Sequence, residues 1–92
     1  MVIRWTKPAA DDLVAIGEYT QEHFGSARAR KTTLGIYEAA DSLAEHSLRG
    51  RPGRKPDTRE LVIAGLPFLI VYRVRPEVVE IVRILHGAQK WP

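Results

Sequence analysis

One segment near the middle of the sequence suits neither a helix nor a buried strand. The spacing of the apolar residues differs on its two sides. Residues 49–58 contain two prolines and two glycines and otherwise only polar side chains, which is typical of a loop. Before this loop, apolar residues recur at intervals of three and four, and after it they gather in short β-branched runs. The chain therefore divides into a helical part and a part made of strands, which indicates an α+β fold.

A short strand and a helix are predicted at the start of the chain. The segment Val2–Trp5 is rich in β-branched and aromatic residues, as strands are. Thr6 can cap a helix whose first turn contains Pro8, and Asp11 and Asp12 are expected to complement the positive end of the helix dipole. The predicted inner face of this helix consists of Ala9, Leu13, Ile16 and Thr20.

A second helix is predicted after a tight turn. Gly25 is expected to end the first helix and Ser26 to cap the second. The second helix is predicted from about Ala27 to about His46. Its apolar side is expected to comprise Ala29, Thr33, Ile36, Ala40 and Leu43. Two amphipathic helices joined in this way form a helical hairpin.

Three strands are predicted after the loop, at Arg59–Ile63, Phe68–Val74 and Val78–Leu85. The turns between them are short, so the strands are expected to form an antiparallel meander. Phe68–Tyr72 is apolar without alternation, which favours a central strand, with Tyr72 in the core and its hydroxyl at the sheet edge. The predicted order is β-α-α-β-β-β, a helical hairpin packed on a small antiparallel sheet, in one domain that spans residues 1–92.

Composition excludes several classes of protein. The chain has no cysteine, so it has neither disulfides nor thiolate sites, and with three scattered histidines we expect no metal and no cofactor. The N-terminus lacks a signal-peptide pattern, and the longest apolar run, Leu66–Tyr72, is far shorter than the ~20 residues that cross a bilayer. We expect a cytoplasmic protein with no membrane partner. Its formal charge of +3 is compatible with an acidic partner, either nucleic acid or protein.

Several segments of the chain together resemble one protein family. In order, they are Trp5-Thr6-Lys7-Pro8-Ala9, Asp12-Leu13, Ile16 with Tyr19, Thr58-Arg59-Glu60-Leu61, Val71-Tyr72-Arg73-Val74 and the closing Val79–His86. In this order and at this spacing they resemble the RelE/ParE toxins of bacterial type II toxin–antitoxin systems. The resemblance covers essentially the whole chain.

The resemblance implies a toxin that a cognate antitoxin keeps inactive by wrapping it. It also implies one of two activities. RelE-like members are ribosome-dependent ribonucleases that cut mRNA, whereas ParE-like members poison DNA gyrase. The fold alone does not separate the two.

The chain departs from the RelE-like pattern at positions that RNA cleavage would use. Cleavage needs a base, an acid and cations that balance the phosphate charge. Where RelE-like enzymes carry an arginine just after an aromatic residue, this chain has Leu69 after Phe68. Where they carry lysines in the preceding strand, it has Glu60-Leu61-Val62. The C-terminal tyrosine of some members is missing too, and Trp91 is the only aromatic residue in the tail. These departures favour an inhibitor of DNA gyrase, and the alternative is an mRNA endoribonuclease that binds the ribosome.

Arg59, Arg83 and His86 are the catalytic candidates if the chain is a ribonuclease. Each also has a structural interpretation, because Arg59 could pair with nearby acids, Arg83 could hold a carboxylate and His86 could serve the fold. Strand alternation would set Arg83 beside Ile81 and Leu85 on an apolar face. His86 is three residues further on and would point to the opposite face.

The same three residues and the basic loop are candidates for binding a target. The loop is interpreted either as a cationic arm for an acidic partner or as a solvated segment. Trp91 either ties down the tail or anchors a partner. The full set is Arg51, Arg54, Lys55, Arg59, Arg83, His86 and Trp91.

Overall fold

Two helices pack on one face of a five-stranded mixed sheet in the computed structural model, which describes residues 1–87. The elements in chain order are β1 (Val2–Trp5), α1 (Lys7–Phe24), α2 (Ser26–Ser42), β2 (Arg51–Pro52), β3 (Arg59–Val62), β4 (Phe68–Arg75) and β5 (Val78–His86). The α+β class and the predicted order of elements are confirmed. The loop is not wholly irregular as predicted, since Arg51 and Pro52 pair with β3 at the sheet edge, where a strand proline is tolerated.

The sheet differs from the prediction in the direction of its first strand. The strand order is β1-β5-β4-β3-β2, and β1 pairs with β5 in parallel, with Val2 opposite Val78 and Trp5 opposite Ile81. The other neighbours are antiparallel. After β1, the helical hairpin connects to β2 at the opposite edge of the sheet. The strands β3, β4 and β5 then follow side by side, and β5 lies next to β1. Every pair of neighbouring strands except β1 and β5 is therefore antiparallel.

The core lies between the helices and the sheet, with β4 at its centre. Ile70, Val71 and Tyr72 of β4 are fully buried, which confirms the predicted central strand. From the helical side, the buried residues are Ala9, Thr20, Ala29, Thr32, Ile36 and Ala40. The narrow apolar stripes that the sequence predicted thus face the sheet, apart from small differences in which threonine is buried.

The start of α1 follows the predicted capping, but not the predicted charge arrangement. The Thr6 hydroxyl oxygen accepts a hydrogen bond from the Ala9 backbone N–H at 3.3 Å, and Pro8 lies in the first turn. The first turn contains no acidic residue, because Asp11 and Asp12 lie beyond it. The dipole field falls off within one turn, so these two carboxylates do not complement it as predicted.

The helical hairpin is tighter and shorter than predicted. Gly25 adopts φ 91° and serves as the junction of both helices, a conformation that glycine accepts readily. Ser26 is the first residue of α2 and makes no side-chain cap, so its predicted role is wrong. The helix ends at Ser42 rather than near His46, and the Ser42 hydroxyl donates to the Ala39 carbonyl at 2.7 Å, a local bond that competes with helical pairing.

A bulge in β5 changes which side chains share a face. Val71 lies opposite Arg83 while Tyr72 lies opposite Ile81, so Val82 is an additional residue in β5. Alternation therefore shifts by one beyond Val82, and Ile84 rather than Arg83 joins the core with Ile81. The predicted position of Arg83 beside Ile81 on an apolar face is wrong for this reason.

Candidate functional site

Arg83 is held by a carboxylate from the opposite end of the chain. Its guanidinium donates to both oxygens of Asp12, at 2.7 and 3.1 Å. Asp12 also accepts from the backbone N–H of Ile84 at 2.9 Å, on the stretch of β5 that β1 does not reach. The hydrogen bonds to Asp12 raise the pKa of Arg83 above its ordinary value. Arg83 is thus a fixed cation that joins α1 to β5. This agrees with the structural interpretation of the sequence, in which Arg83 holds a carboxylate.

Arg59 is engaged by the backbone of the loop that precedes it. Its guanidinium donates to the Gly50 carbonyl at 3.0 Å and to the Leu48 carbonyl at 3.1 Å. Those acceptors are carbonyls, so the predicted pairing of Arg59 with acids is not what the structure has. Because both carbonyls belong to the segment that leaves α2, Arg59 ties that segment to β3.

Tyr72 binds the same segment, residues 47–50, through its hydroxyl. Its hydroxyl donates to the Ser47 carbonyl and accepts from the Gly50 N–H, both at 2.8 Å. A Cβ atom at Gly50 would lie only 2.6 Å from the Tyr72 hydroxyl and 2.8 Å from the Glu60 carbonyl, so only glycine fits. The hydroxyl of Tyr72 therefore reaches the segment that leads into β2, the strand at the edge of the sheet.

His86 lies at the mouth of a cleft between the helical hairpin and the end of the sheet. Its ring meets that of Phe68 edge to face, with ring centroids 5.6 Å apart. The cleft has a volume of about 610 Å³, and Leu66 and Phe68 line its sheet side. Arg28 and Lys31 line the helical side. The cleft is therefore apolar at its base and cationic at one rim.

Exposed aromatic rings surround the tip of the hairpin beside this cleft. Tyr19 stacks on His23 with centroids 4.0 Å apart, and the Arg28 guanidinium lies 5.5 Å from the centre of the Phe24 ring. Tyr19 and Phe24 remain 59% and 62% exposed. Grouped exposed rings next to a cleft are a common sign of a protein-binding surface.

The sheet face turned away from the helices carries rows of arginine around recessed carboxylates. Glu80 accepts from Arg4 at 2.6 Å and from Arg73 at 3.4 Å. Arg4 and then Arg73 lower the pKa of the Glu80 carboxyl below its usual value, against the opposing effect of burial. Glu60, which is 3% exposed, accepts from Arg51 at 3.3 Å. Arg4 and Arg73 were missed by the sequence reasoning, although strand alternation assigns both to this face.

The structure places Arg59 apart from the other two catalytic candidates, whereas His86 and Asp12, the carboxylate that binds Arg83, line one small cavity. Arg83 and His86 are three residues apart beyond the bulge, so their side chains leave opposite faces of β5, and Arg59 lies two strands away on β3. Within residues 1–87, no group of His, Asp or Glu is arranged to hold a metal ion. Neither helix there is long and apolar enough to cross a membrane. Trp91 lies outside the described residues.

This combination of a helical hairpin, a mixed sheet and a cleft at the sheet end has counterparts among known proteins. A family model described as the ParE toxin of the type II toxin–antitoxin system parDE matches residues 3–91. The chain belongs to this ParE toxin family. The resemblance to RelE/ParE toxins that the sequence indicated is therefore confirmed.

Individual relatives of this ParE-family toxin agree with the assignment. A Sinorhizobium fredii protein named Y4kP and described as a candidate toxin is 44% identical over 90 residues, which cover 98% of this chain and 92% of that protein. Toxin RelE2 of Caulobacter vibrioides is 42% identical over 85 residues, which cover 92% of this chain and 93% of that one.

A solved structure described as the chromosomal ParDE toxin–antitoxin system of P. aeruginosa superimposes with a TM-score of 0.86 at 32% identity, covering 94% of this chain and 95% of that one. The chain is thus the toxin component of a type II toxin–antitoxin system, and membership of this family implies an antitoxin as its partner.

Proposed function

We propose that this ParE-family toxin acts by binding and inhibiting DNA gyrase in the cytoplasm, and that it does not cleave RNA. The main observation in support of the proposal is that Arg59 and Arg83, the two candidate cations, already have hydrogen-bond partners within the fold. Arg83 has two guanidinium bonds to Asp12, and Arg59 has two to backbone carbonyls. Cations held in this way support the architecture of the sheet and are not directed at a scissile phosphate.

The position after Phe68 supports the same proposal. Leu69 is there, and an aliphatic side chain can neither balance the charge of a phosphate nor move a proton. His86, the remaining candidate, is an exposed ring packed against Phe68.

A ribosome-dependent endoribonuclease is the second candidate, because one relative is named RelE2. In that case His86, at the mouth of the cleft, would be the proton-transfer group. Replacing Arg59, Arg83 and His86 together would disturb the fold, since the two arginines bind Asp12 and the loop. His86→Ala alone is the informative change.

The two candidates make opposite predictions in a pair of assays. Purified toxin at micromolar concentration is expected to block supercoiling by gyrase and to leave mRNA intact in a translating extract. His86→Ala is expected to keep gyrase inhibition within about threefold of the wild type, because the change is confined to an exposed side chain at the end of β5. Ribosome-dependent mRNA cuts that disappear with His86→Ala, together with unaffected supercoiling, would instead establish the endoribonuclease.

We further propose that the antitoxin covers the cleft beside His86 with an acidic, amphipathic segment. An amphipathic segment fits a groove with an apolar base, and the rim residues Arg28 and Lys31 favour acidic side chains on it. The exposed ring of Phe24 is the best-placed anchor, since aromatic side chains dominate the binding energy at such sites.

Phe24→Ala is therefore expected to weaken binding of the cognate antitoxin by roughly 30-fold or more, the loss of one anchoring aromatic side chain. Leu48→Ala is the matched control, because Leu48 is 69% exposed and does not line the cleft. Titration calorimetry with both variants measures the difference. Equal affinities for the two variants would place the antitoxin elsewhere.

A further inference from the structure

The charges of the chain are divided between its two layers. Residues 6–46, which form the helices, carry four Lys and Arg against seven Asp and Glu, a net charge of −3. The remaining described residues, 1–5 and 47–87, carry nine basic against four acidic side chains, a net charge of +5. The modest +3 of the whole chain thus conceals a strongly basic sheet layer opposite an acidic helical layer.

The basic charge of the sheet layer is gathered on the face away from the helices. Trp5, Val74 and Val79 pack in the core against the helices, so their neighbours Arg4, Arg73, Arg75 and Glu80 point the other way. By the same alternation Glu60 and its partner Arg51 lie on this outer face, and the Arg54 N–H donates to Glu60. We call this surface the cationic sheet face. It consists of Arg4, Arg51, Arg73 and Arg75, together with Arg54 and Lys55 of the adjoining loop.

Two carboxylates on this face, Glu60 and Glu80, lie lower than the guanidinium groups that they bind, whereas Asp57, which pairs with Arg75 at 2.7 Å, is 61% exposed. The side chains of Arg4 and Arg51 are 61% and 60% exposed, whereas those of Glu80 and Glu60 are 16% and 3% exposed. Each of these two glutamates therefore orients an arginine from beneath and leaves much of the guanidinium in solvent. An approaching partner meets a positive surface held in position, a suitable arrangement for phosphate oxygens.

The composition of the face favours the backbone of a duplex over single strands. Within the described residues, the strand positions on this face are aliphatic or charged, and the loop at 47–58 has no aromatic side chain. Proteins that bind single strands stack the bases on aromatic rings. Contacts to duplex phosphates need only placed cations.

We propose that the cationic sheet face binds the phosphate backbone of duplex DNA without sequence preference. The choice of DNA over duplex RNA rests on the proposed action against gyrase, an enzyme that holds DNA while it cuts it. In that setting the sheet face contacts the DNA while other surfaces of the toxin contact the gyrase protein. The toxin then recognises the enzyme–DNA complex in preference to either component.

The test compares two triple variants that lose the same charge from opposite layers. Arg51→Gln/Arg54→Gln/Lys55→Gln changes the cationic sheet face, and Arg28→Gln/Arg30→Gln/Lys31→Gln changes the helical layer. The probe is a fluorescent 24-base-pair duplex DNA of random sequence, titrated by anisotropy at several salt concentrations. The sheet-face triple is expected to bind roughly tenfold or more weakly, with a log–log salt slope shallower by about 2 to 3, because each phosphate contact contributes about 0.9. The helical triple is expected to bind like the wild type.

Several results would overturn this inference. They are equal losses in the two triples, no binding of wild-type toxin to the duplex at low salt, or tighter binding to duplex RNA of the same length. If circular dichroism finds the sheet-face triple unfolded, the pair Arg54→Gln/Lys55→Gln against Arg30→Gln/Lys31→Gln gives the same comparison. Arg54 contacts Glu60 through its backbone N–H, which glutamine retains.

A gyrase supercoiling assay separates this inference from the proposed function. Wild-type toxin that binds DNA but leaves supercoiling unchanged contradicts gyrase as the target and leaves the DNA surface standing. Toxin that blocks supercoiling equally well in both triples, and binds no duplex, contradicts the DNA surface and leaves gyrase as the target.

Discussion

Asp12→Ala is expected to lower the free energy of unfolding by about 3 kcal/mol, since a partly buried arginine loses its partner and a backbone donor loses its acceptor. Asp12 receives three hydrogen bonds, two from Arg83 and one from the Ile84 N–H. It thus joins the stretch of β5 that β1 does not reach to α1. For a domain of this size, the corresponding decrease in Tm is about 10 to 20 °C.

The neighbouring residue provides a matched control for this prediction. Asp11 is 64% exposed and pairs only with Lys7, four residues back on the same helix, so Asp11→Ala should change stability by less than about 0.5 kcal/mol. Both variants remove one carboxylate from consecutive positions of α1. Thermal and urea denaturation give the two values. A similar small loss in both would mean that the contact with Arg83 contributes little to stability.

The helices and the three strands of the meander could be predicted because each is specified locally. Thr6, Pro8 and Gly25 mark the ends of α1 through capping, ring geometry and positive φ, which act within a few residues. The apolar run in β4 indicated a central strand because a strand covered on both faces does not alternate between apolar and polar residues, and Ile70, Val71 and Tyr72 are all buried. Such signals require no knowledge of the remainder of the chain.

The neighbour of β1 and the partner of Arg83 could not be predicted in this way. Alternation assigns Val2–Trp5 to a strand, but it does not say that the strand joins β5, 76 residues away at the Arg4–Glu80 contact. Asp12 and Arg83 are 71 residues apart. The bulge at Val82 did leave a signal in the sequence, because the core residues Val79 and Ile81 have odd numbers whereas Ile84 has an even number. A stricter count of the strand alternation would have found it.

The positions of the candidate residues in the fold could be predicted only in part. The basic loop and His86 are exposed, as a binding surface requires, but Arg59 and Arg83 are already engaged within the fold. The arginine rows of the outer sheet face depend on β1 lying beside β5, which brings Arg4 to Glu80. Cations from β1, β4 and the loop therefore meet only after the sheet is assembled.

Tyr72→Phe is expected to destabilise the protein by about 2 to 6 kcal/mol, because it leaves two backbone groups without their partner at about 1 to 3 kcal/mol each. The Gly50 N–H and the Ser47 carbonyl both bond to the buried hydroxyl of Tyr72. The ring itself still fits the core, so the change isolates the two hydrogen bonds. Tyr37→Phe is the control, because Tyr37 is 54% exposed and should change stability by less than about 0.5 kcal/mol.

The loss of stability from Tyr72→Phe should be confined to the loop. A local loss would show that the hydroxyl anchors the loop, whereas a general loss would show that it stabilises the core as a whole. The freed segment leads directly into Arg51, Arg54 and Lys55, so trypsin should cut the loop several-fold faster under conditions where the rest of the chain remains folded. Duplex binding should weaken together with that cleavage, because phosphate contacts need cations held in place. If trypsin cuts Tyr72→Phe and Tyr37→Phe at the same rate, Arg59 alone suffices to hold the segment, and the Tyr72 hydroxyl contributes only to the core.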